Sequence, residues 1–377
     1  MSIVISTEIY SRKIKGVLYL ALILFLFTIG SGFELQALTQ VIGKPAISDV
    51  SASVEMVMTQ RGPLIAFNGE NGEIYTSLID SNTGLWQTHH VYTVEQGNVS
   101  SLISIDTGNG SEIILGYSLD GNLYTIISSD NGLTFSPPNP ISSKSQSAGS
   151  LDLDTGTDST VYAVFHRHQS YWDYNFASST DGGRNFRVQY NFTSSNDSNS
   201  TGYSGHIKVK HGNIYTAYQD NNDNFAMKYA FSRNKGTSWN YTTIGNNLAF
   251  MDIAVDPGNE NLVYISYINE KECGVYRSRN ATAKYPIFEQ IYRDAHIQFD
   301  REKVKFTDIE VAPDGTVVLV YMNNDEQYML KTSDDNGSAW SNALPIGESK
   351  STNLYWRSSL VVSGQTILFA FYNADLI

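Results

Sequence analysis

The chain has 377 residues and a formal net charge of −13, from 38 acidic against 25 basic residues. An excess of that sign repels a duplex phosphate backbone, which argues against a nucleic-acid partner, and it suits solubility outside the cell. Cys273 is the only cysteine, so no internal disulfide can form and a packed core must supply the stability; the thiol itself reads as a small buried hydrophobe on a strand.

In chain order, Arg12, Lys13 and Lys15 come first and precede an apolar run from Val17 to Ile29, with no charge until Glu34. A basic region followed by such a run fits either a cleaved secretory signal or an uncleaved anchor, and Gly30, Ser31 and Gly32 would frame a cleavage site. In both cases the basic flank keeps the N-terminus inside and sends the remainder out. The expected organisation is therefore a leader or anchor over residues 1–33 and one domain over 34–377, secreted or membrane-anchored. The membrane is touched only through the N-terminal segment.

The remaining sequence repeats. Ser128-Ser129-Asp130-Asn131-Gly132-Leu133-Thr134-Phe135, Ser179-Thr180-Asp181-Gly182-Gly183-Arg184-Asn185-Phe186, Ser232-Arg233-Asn234-Lys235-Gly236-Thr237-Ser238-Trp239 and Ser333-Asp334-Asp335-Asn336-Gly337-Ser338-Ala339-Trp340 share the pattern Ser-x-Asp-x-Gly-x-x-aromatic. Two worn copies fill the gaps, one from Ser77 and Asp80 to Trp86, the other from Ser278 and Asn280 to Phe288. The step between copies is about 50 residues, the length of one four-stranded propeller blade. In such a motif the Asp or Asn caps a turn, the glycine supplies positive φ, and the aromatic ring buries between neighbouring sheets.

Between the motifs lie strand-like runs rich in Val, Ile and Tyr, such as Glu112 to Tyr117, Thr160 to Phe165, Asn213 to Tyr218 and Leu262 to Tyr267. Asp314-Gly315 separates two of them as a hairpin signal. No segment after the leader carries a sustained helical period. The expected fold is all-β, a β-propeller of four-stranded antiparallel blades with six full repeats. After the sixth come two more runs, Arg357 to Val362 and Thr366 to Phe371, and before the first stands Leu38 to Ile42. An open edge invites aggregation, which favours a seventh blade assembled from both termini; six blades with an accessory strand pair is the alternative.

These boxes resemble the Asp-box (BNR) repeats of the sialidase, or neuraminidase, superfamily, over residues from about 50 to the C-terminus. The resemblance implies that the boxes sit on the face opposite the active site and are structural. It also implies three arginines gripping a substrate carboxylate, a tyrosine nucleophile paired with a glutamate, and an acid/base aspartate. The usual first arginine motif is absent; the nearest match, Gln60-Arg61-Gly62-Pro63, falls in a turn on the wrong face. Arg167, Arg301 and Arg357 stand on segments of the right face, but no catalytic residue is carried over.

Loops joining second to third strands, and blade to blade, would face a ligand. The richest spans His166, Arg167, His168, Gln169, Ser170, Tyr171, Trp172, Asp173 and Tyr174; aromatic planes with a few fixed polar groups suit a sugar. Tyr355, Trp356 and Arg357 form a second candidate, and Arg293 to Lys305 with His296 a third. Asp220 to Asn224 lacks the spacing of a calcium loop and reads as a solvated turn. No metal and no cofactor is expected. Two functions remain: a non-catalytic module that binds a glycan or a cell-surface protein, and a glycoside hydrolase of exo-sialidase type with a diverged arginine set.

Overall fold

A computed structural model of the chain describes residues 54–373 apart from short connecting segments, the longest being 193–204, 298–305 and 349–357, together with residues 21–22 and 27–28. Among the described residues every regular element but an isolated 3-10 residue is a strand. Six antiparallel sheets have four strands each, joined in simple meander order. Blade 1 covers Val54 to Thr93, blade 2 Val99 to Ser142, blade 3 Ser147 to Asn191, blade 4 Gly205 to Gly245, blade 5 Ala249 to Asp294 and blade 6 Thr307 to Glu348. The first strand of each blade lies against the first strand of the next, which sets the inner strands around a common axis. The architecture is a β-propeller.

Burial follows from position in the blade. Second strands such as Val263–Ile268 and Val317–Met322 are buried at every residue, because both of their faces meet a neighbouring blade. Outer strands such as Trp86–Thr93 and Arg187–Asn191 are mostly open to solvent. The core is accordingly divided into seams. Leu64, Ala66, Ile113 and Leu115 fill the seam between blades 1 and 2, and Ile253, Ile265, Tyr229 and Phe231 that between blades 4 and 5.

Between blades 6 and 1 stands a smaller sheet of three strands, Ser359–Ser363, Thr366–Ala370 and Phe27–Thr28. Leu360, Ile367, Phe369 and Phe371 pack on Tyr328 and Leu330 of blade 6. On the other side Leu368 and Ala370 pack on Val54, Met56, Ile65 and Phe67 of blade 1. Strands from both ends of the chain thus meet here, with Ala21–Leu22 also pairing Tyr372–Asn373. The run expected to supply an N-terminal strand, Leu38 to Ile42, lies outside the described residues. Among the described residues no helix is long and apolar enough to cross a membrane.

The boxes are one turn used repeatedly. In blade 3, Asp181 Oδ1 accepts from Ser179 Oγ at 2.6 Å, Arg184 N at 3.2 Å and Asn185 N at 2.9 Å, and Ser179 Oγ accepts from Gly183 N at 3.0 Å. Blade 2 repeats this with Ser128, Asp130 and Gly132, and blade 6 with Ser333, Asp335 and Gly337. These hydrogen bonds hold Asp181 down to about 2 against the opposing effect of burial. Two successive residues take positive φ, for example Lys235 at 56° and Gly236 at 81°. The glycine is required twice over, since a Cβ on Gly236 would lie 2.1 Å from Phe176 of blade 3.

Each box also docks on the blade before it. Thr125 Oγ1 of blade 2 donates to Gly183 O at 2.6 Å, and Thr76 Oγ1 of blade 1 to Gly132 O at 3.1 Å. Trp239, closing the box of blade 4, stands edge-on to Phe176 and Phe192 of blade 3, with centroids at 5.0 and 4.8 Å. Blade 5 has the worn copy without a glycine. There Asn280 Oδ1 accepts from Ile287 N, seven residues on, at 2.9 Å, and the longer turn leaves Tyr285 and Ile287 exposed.

Candidate functional site

Most inner strands alternate between an apolar face and a polar one. In blade 3, Leu151 and Leu153 pack back on blade 2 while Asp152 and Asp154 face blade 4. Period-two alternation places Ser104 and Asp106 of blade 2, His206, Lys208 and Lys210 of blade 4, Asp252 of blade 5, and Asp308 and Glu310 of blade 6 on the corresponding faces. The polar side chains therefore converge around the axis.

Two bridges cross between blades there. His206 Nδ1 stands 3.5 Å from Asp152 and 3.6 Å from Asp252, one on each flanking blade. These three side chains remain accessible over 22, 19 and 16 % of their surface. Two residues further along the same strand, Lys208 Nζ spans past blade 5 to Glu310 of blade 6 at 3.3 Å. The charge of Glu310 raises the Lys208 ammonium well above its ordinary value, against burial. Burial also acts on Asp152, but the bond and charge of His206, with the N–H of Ile207, hold it below the usual carboxylate range. On the other side of His206 burial prevails, and Asp252 is raised. Asp308 is pushed up to about 7, first by burial and then by the charge of Asp252. One histidine thus separates an ionised carboxylate from a carboxyl that holds its proton more tightly.

The residues expected from sequence are placed less uniformly. His166 to Tyr174 belongs to a hairpin rather than a free loop, with His166 opposite Tyr174, Arg167 opposite Asp173 and His168 opposite Trp172. His166 is buried in the seam between blades 3 and 4, with Nδ1 2.5 Å from Ser150 Oγ and its ring 4.7 Å from that of Tyr174. It cannot touch a ligand from there. The backbone of Arg167, His168 and Trp172 continues the hairpin to the connection between the second and third strands of the blade, and Asp173 is half-buried beside them. Tyr355, Trp356, Arg357 and Arg301 lie outside the described residues. His296 is exposed beside Asp294. Asp220 and Asp223 both pair with Lys228, at 2.7 and 3.2 Å. Among the described residues no group of three or more His, Cys, Asp or Glu is arranged to hold a metal ion.

Tyrosine–glutamate pairs occur, but in the wrong place for a nucleophile. Tyr267 OH donates to Glu272 at 2.5 Å, with Arg293 on the other carboxylate oxygen. Tyr267 is fully buried on a second strand, away from the axis. Among the described residues no arginine stands on an inner strand of blades 1 to 6: Arg61 is in a turn, Arg184, Arg233 and Arg279 lie in or beside boxes, and Arg277 is bound to Glu289 and to the box carbonyl of Asn336. Arg61, as expected, occupies the first-to-second-strand turn of blade 1.

The axial residues were not singled out in the sequence. Their signal was available in the alternation of charged residues with Leu, Ile or Val along some first strands, as in Leu151-Asp152-Leu153-Asp154 and His206-Ile207-Lys208-Val209-Lys210.

No family model matches the chain, and no curated protein matches it by sequence. Solved structures do share its fold. An ulvan lyase of polysaccharide lyase family PL25 superposes with a TM-score of 0.58 at 11% identity, over 86% of this chain and 95% of that one. A protein of unknown function from Dyadobacter fermentans gives 0.53 at 12% identity, over 82% and 96%. A protein from Lactobacillus plantarum gives 0.50 at 9% identity, over 79% and 82%. At such identities the likeness is one of fold. The chain is a β-propeller with a charged axial cluster, and its neighbours of known activity include enzymes of polysaccharides.

Proposed function

We propose that the chain is an extracytoplasmic, sialidase-like propeller that binds a neutral glycan on the face where its second-to-third-strand hairpins emerge, without cleaving it. The observation that carries this reading is the character of the axis. Carboxyls from blades 2, 3, 5 and 6 gather there around the histidine and lysines of blade 4, and the described inner strands offer no guanidinium to grip a carboxylated sugar. A sialic acid would meet like charge; a sugar with only hydroxyls would find acceptors. The hairpin carrying Arg167, His168, Trp172 and Asp173 supplies the aromatic plane and polar groups that sugar recognition uses. A structurally similar ulvan lyase holds a GlcA–Rha3S saccharide, which supports a glycan as ligand though that saccharide is itself acidic.

A glycan array that includes neutral oligosaccharides and sialosides, run beside a fluorogenic sialoside assay, tests the proposal. The expected result is retention on neutral glycans with no release of fluorophore. Turnover of the sialoside would remove the non-catalytic reading.

A second reading, glycoside cleavage, is favoured by one arrangement: His206 set between Asp152, held ionised, and Asp252, held toward its acid form. A proton donor and a proton acceptor with separated affinities are what such cleavage needs. Release of reducing ends from a glycan found on the array, lost in Asp252→Asn, would establish it.

The location rests on the basic flank and apolar run of residues 12–29. A cleaved leader and the strand pairings of residues 21–22 and 27–28 make opposite demands on that segment. N-terminal sequencing of the mature protein decides between them. A first residue beyond about 30 supports a leader, and a soluble protein still beginning at Met1 removes it.

A further inference from the structure

We infer that Asn240, on the outer strand of blade 4, is a site of N-linked glycosylation. The inference rests on the extracytoplasmic location proposed above. Asn-x-Ser/Thr triplets begin at Asn98, Asn109, Asn191, Asn196, Asn199, Asn240, Asn280 and Asn336. The pattern is short enough to arise by chance, so the fold must choose among them. Asn191, Asn240, Asn280 and Asn336 are among the described residues.

A modified asparagine must leave its side-chain amide free, keep the hydroxyl two residues on within reach, and sit where a bulky group disturbs nothing. Asn280 fails on each count. Its Oδ1 is the box acceptor, taking Ser278 Oγ at 3.1 Å and Ile287 N at 2.9 Å. Thr282 is buried, with Oγ1 donating to Asn261 at 2.5 Å and accepting from Arg233 at 2.8 Å. Whether a sugar arrives before folding or after it, a modified Asn280 could not form this turn. Asn336 is set inside the box of blade 6 with φ of 60°; its carbonyl is bound by Arg277, and Ser338 Oγ donates to Asp335 O at 3.0 Å. Asn191 ends the outer strand of blade 3, and its Thr193 lies outside the described residues.

Asn240 meets all three demands. It opens Asn240–Gly245, the outermost strand of blade 4, and is exposed, while Thr242 is partly exposed. Neither side chain makes a hydrogen bond to another described residue. Asn240 stands opposite Phe231 and Thr242 opposite Tyr229, both of the seam toward blade 5, so amide and hydroxyl share one face of the strand. Tyr241 between them alternates to the other face. Trp239, just before, is packed on Phe176 and Phe192, which fixes the start of the strand. The acceptor also lies at the box end of its blade, whereas Arg167 to Asp173 stand at the opposite end of theirs.

In the transfer, Asn240 Nδ2 bonds the anomeric carbon of a sugar carried as a glycosyl phosphate on a membrane lipid. The bond from that carbon to the phosphate oxygen breaks, and its electron pair leaves with the lipid phosphate. One Nδ2 proton passes to a base of the transferase, and no oxidant or reductant enters.

The test is peptide mapping by electron-transfer mass spectrometry on the full chain, purified from the cells that make it. Protease shaving of intact cells, with recovery from the medium, reports location separately. The expected result is a sugar mass on Asn240 and none on Asn280 or Asn336. Asn240→Gln and Thr242→Val should abolish it, and Thr242→Ser should keep it. A bare Asn240 on protein recovered outside the cell would overturn the inference and leave the location standing. A bare Asn240 on protein found only inside would overturn both. Sugar on Asn280, or sugar on Asn240 that survives Thr242→Val, would also overturn the assignment. If a variant fails to fold, the wild-type map decides alone.

Discussion

Replacing Gly236 by alanine tests how the boxes hold the blades together. Two costs can be read from the structure. Gly236 has φ of 81°, where an L side chain costs about 1–2 kcal/mol. Its added Cβ would also stand 2.1, 2.5 and 2.9 Å from ring carbons of Phe176, a fully buried side chain of blade 3. That ring is fixed by Trp239 on its edge and Tyr162 stacked at 5.9 Å, so it cannot move aside without disturbing the seam. Overpacking of this kind adds roughly 1–3 kcal/mol, for a total near 2–5. Gly212, in the first turn of the same blade, is the control: its φ is 75°, but a Cβ would meet nothing within 4 Å. Gly212→Ala should therefore cost only about 1 kcal/mol, partly offset by the loss of glycine freedom in the unfolded chain. Urea unfolding of both variants at constant m-value gives the comparison. Equal losses in the two proteins would refute the claim that box glycines are there for close approach as well as for φ.

Asp181→Ala removes the acceptor of four hydrogen bonds on an exposed turn, including one from Asn185 Nδ2 to Oδ2 at 2.6 Å, and should cost about 1–2 kcal/mol while leaving ligand binding unchanged. Because Asp181 is held down to about 2, its contribution is present above pH 4 and disappears as pH falls through 2, so the gap to wild type should close in acid. Truncation from Arg357 onward uncovers Val54, Met56 and Phe67 of blade 1 together with Tyr328 and Leu330 of blade 6, and the shortened protein should aggregate in light scattering; a monomeric, equally stable product would show that blades 1 and 6 close on each other.

The fold was legible because its signals are local and repeated. Ser179-x-Asp181-x-Gly183 specifies one turn through hydrogen bonds within five residues, and the same chemistry recurs at Ser128, Ser232 and Ser333. The spacing of those turns then fixes the length of a blade. The C-terminal part of the closing sheet followed from the leftover strands after Arg357, but its N-terminal partners, Ala21–Leu22 and Phe27–Thr28, come from the segment read as a leader and not from Leu38 to Ile42, and the four-stranded blades number six. The site was much less legible. His166 stands in a sequence that reads as a polar loop, yet strand pairing with Tyr174 turns it into the seam, where it meets Ser150 and the ring of Tyr174. Conversely Asp152, His206 and Asp252 are about 50 residues apart in sequence and meet only because the ring brings three first strands to one axis. A long-range closure of that kind leaves no short motif, only a polar residue at every second position of a strand.

Binding of an uncleaved glycan at the hairpin beside the axis, as proposed above, is open to direct measurement. The direct measurement is a calorimetric titration of the best array glycan into wild type and Trp172→Ala, with product analysis of the same samples. The account predicts a loss of about 2 kcal/mol or more in the variant, roughly thirtyfold in affinity, and an unaltered glycan in both cells. Equal affinity in the two proteins would contradict the assignment to the hairpin, and a shortened glycan recovered from wild type would contradict the non-catalytic reading.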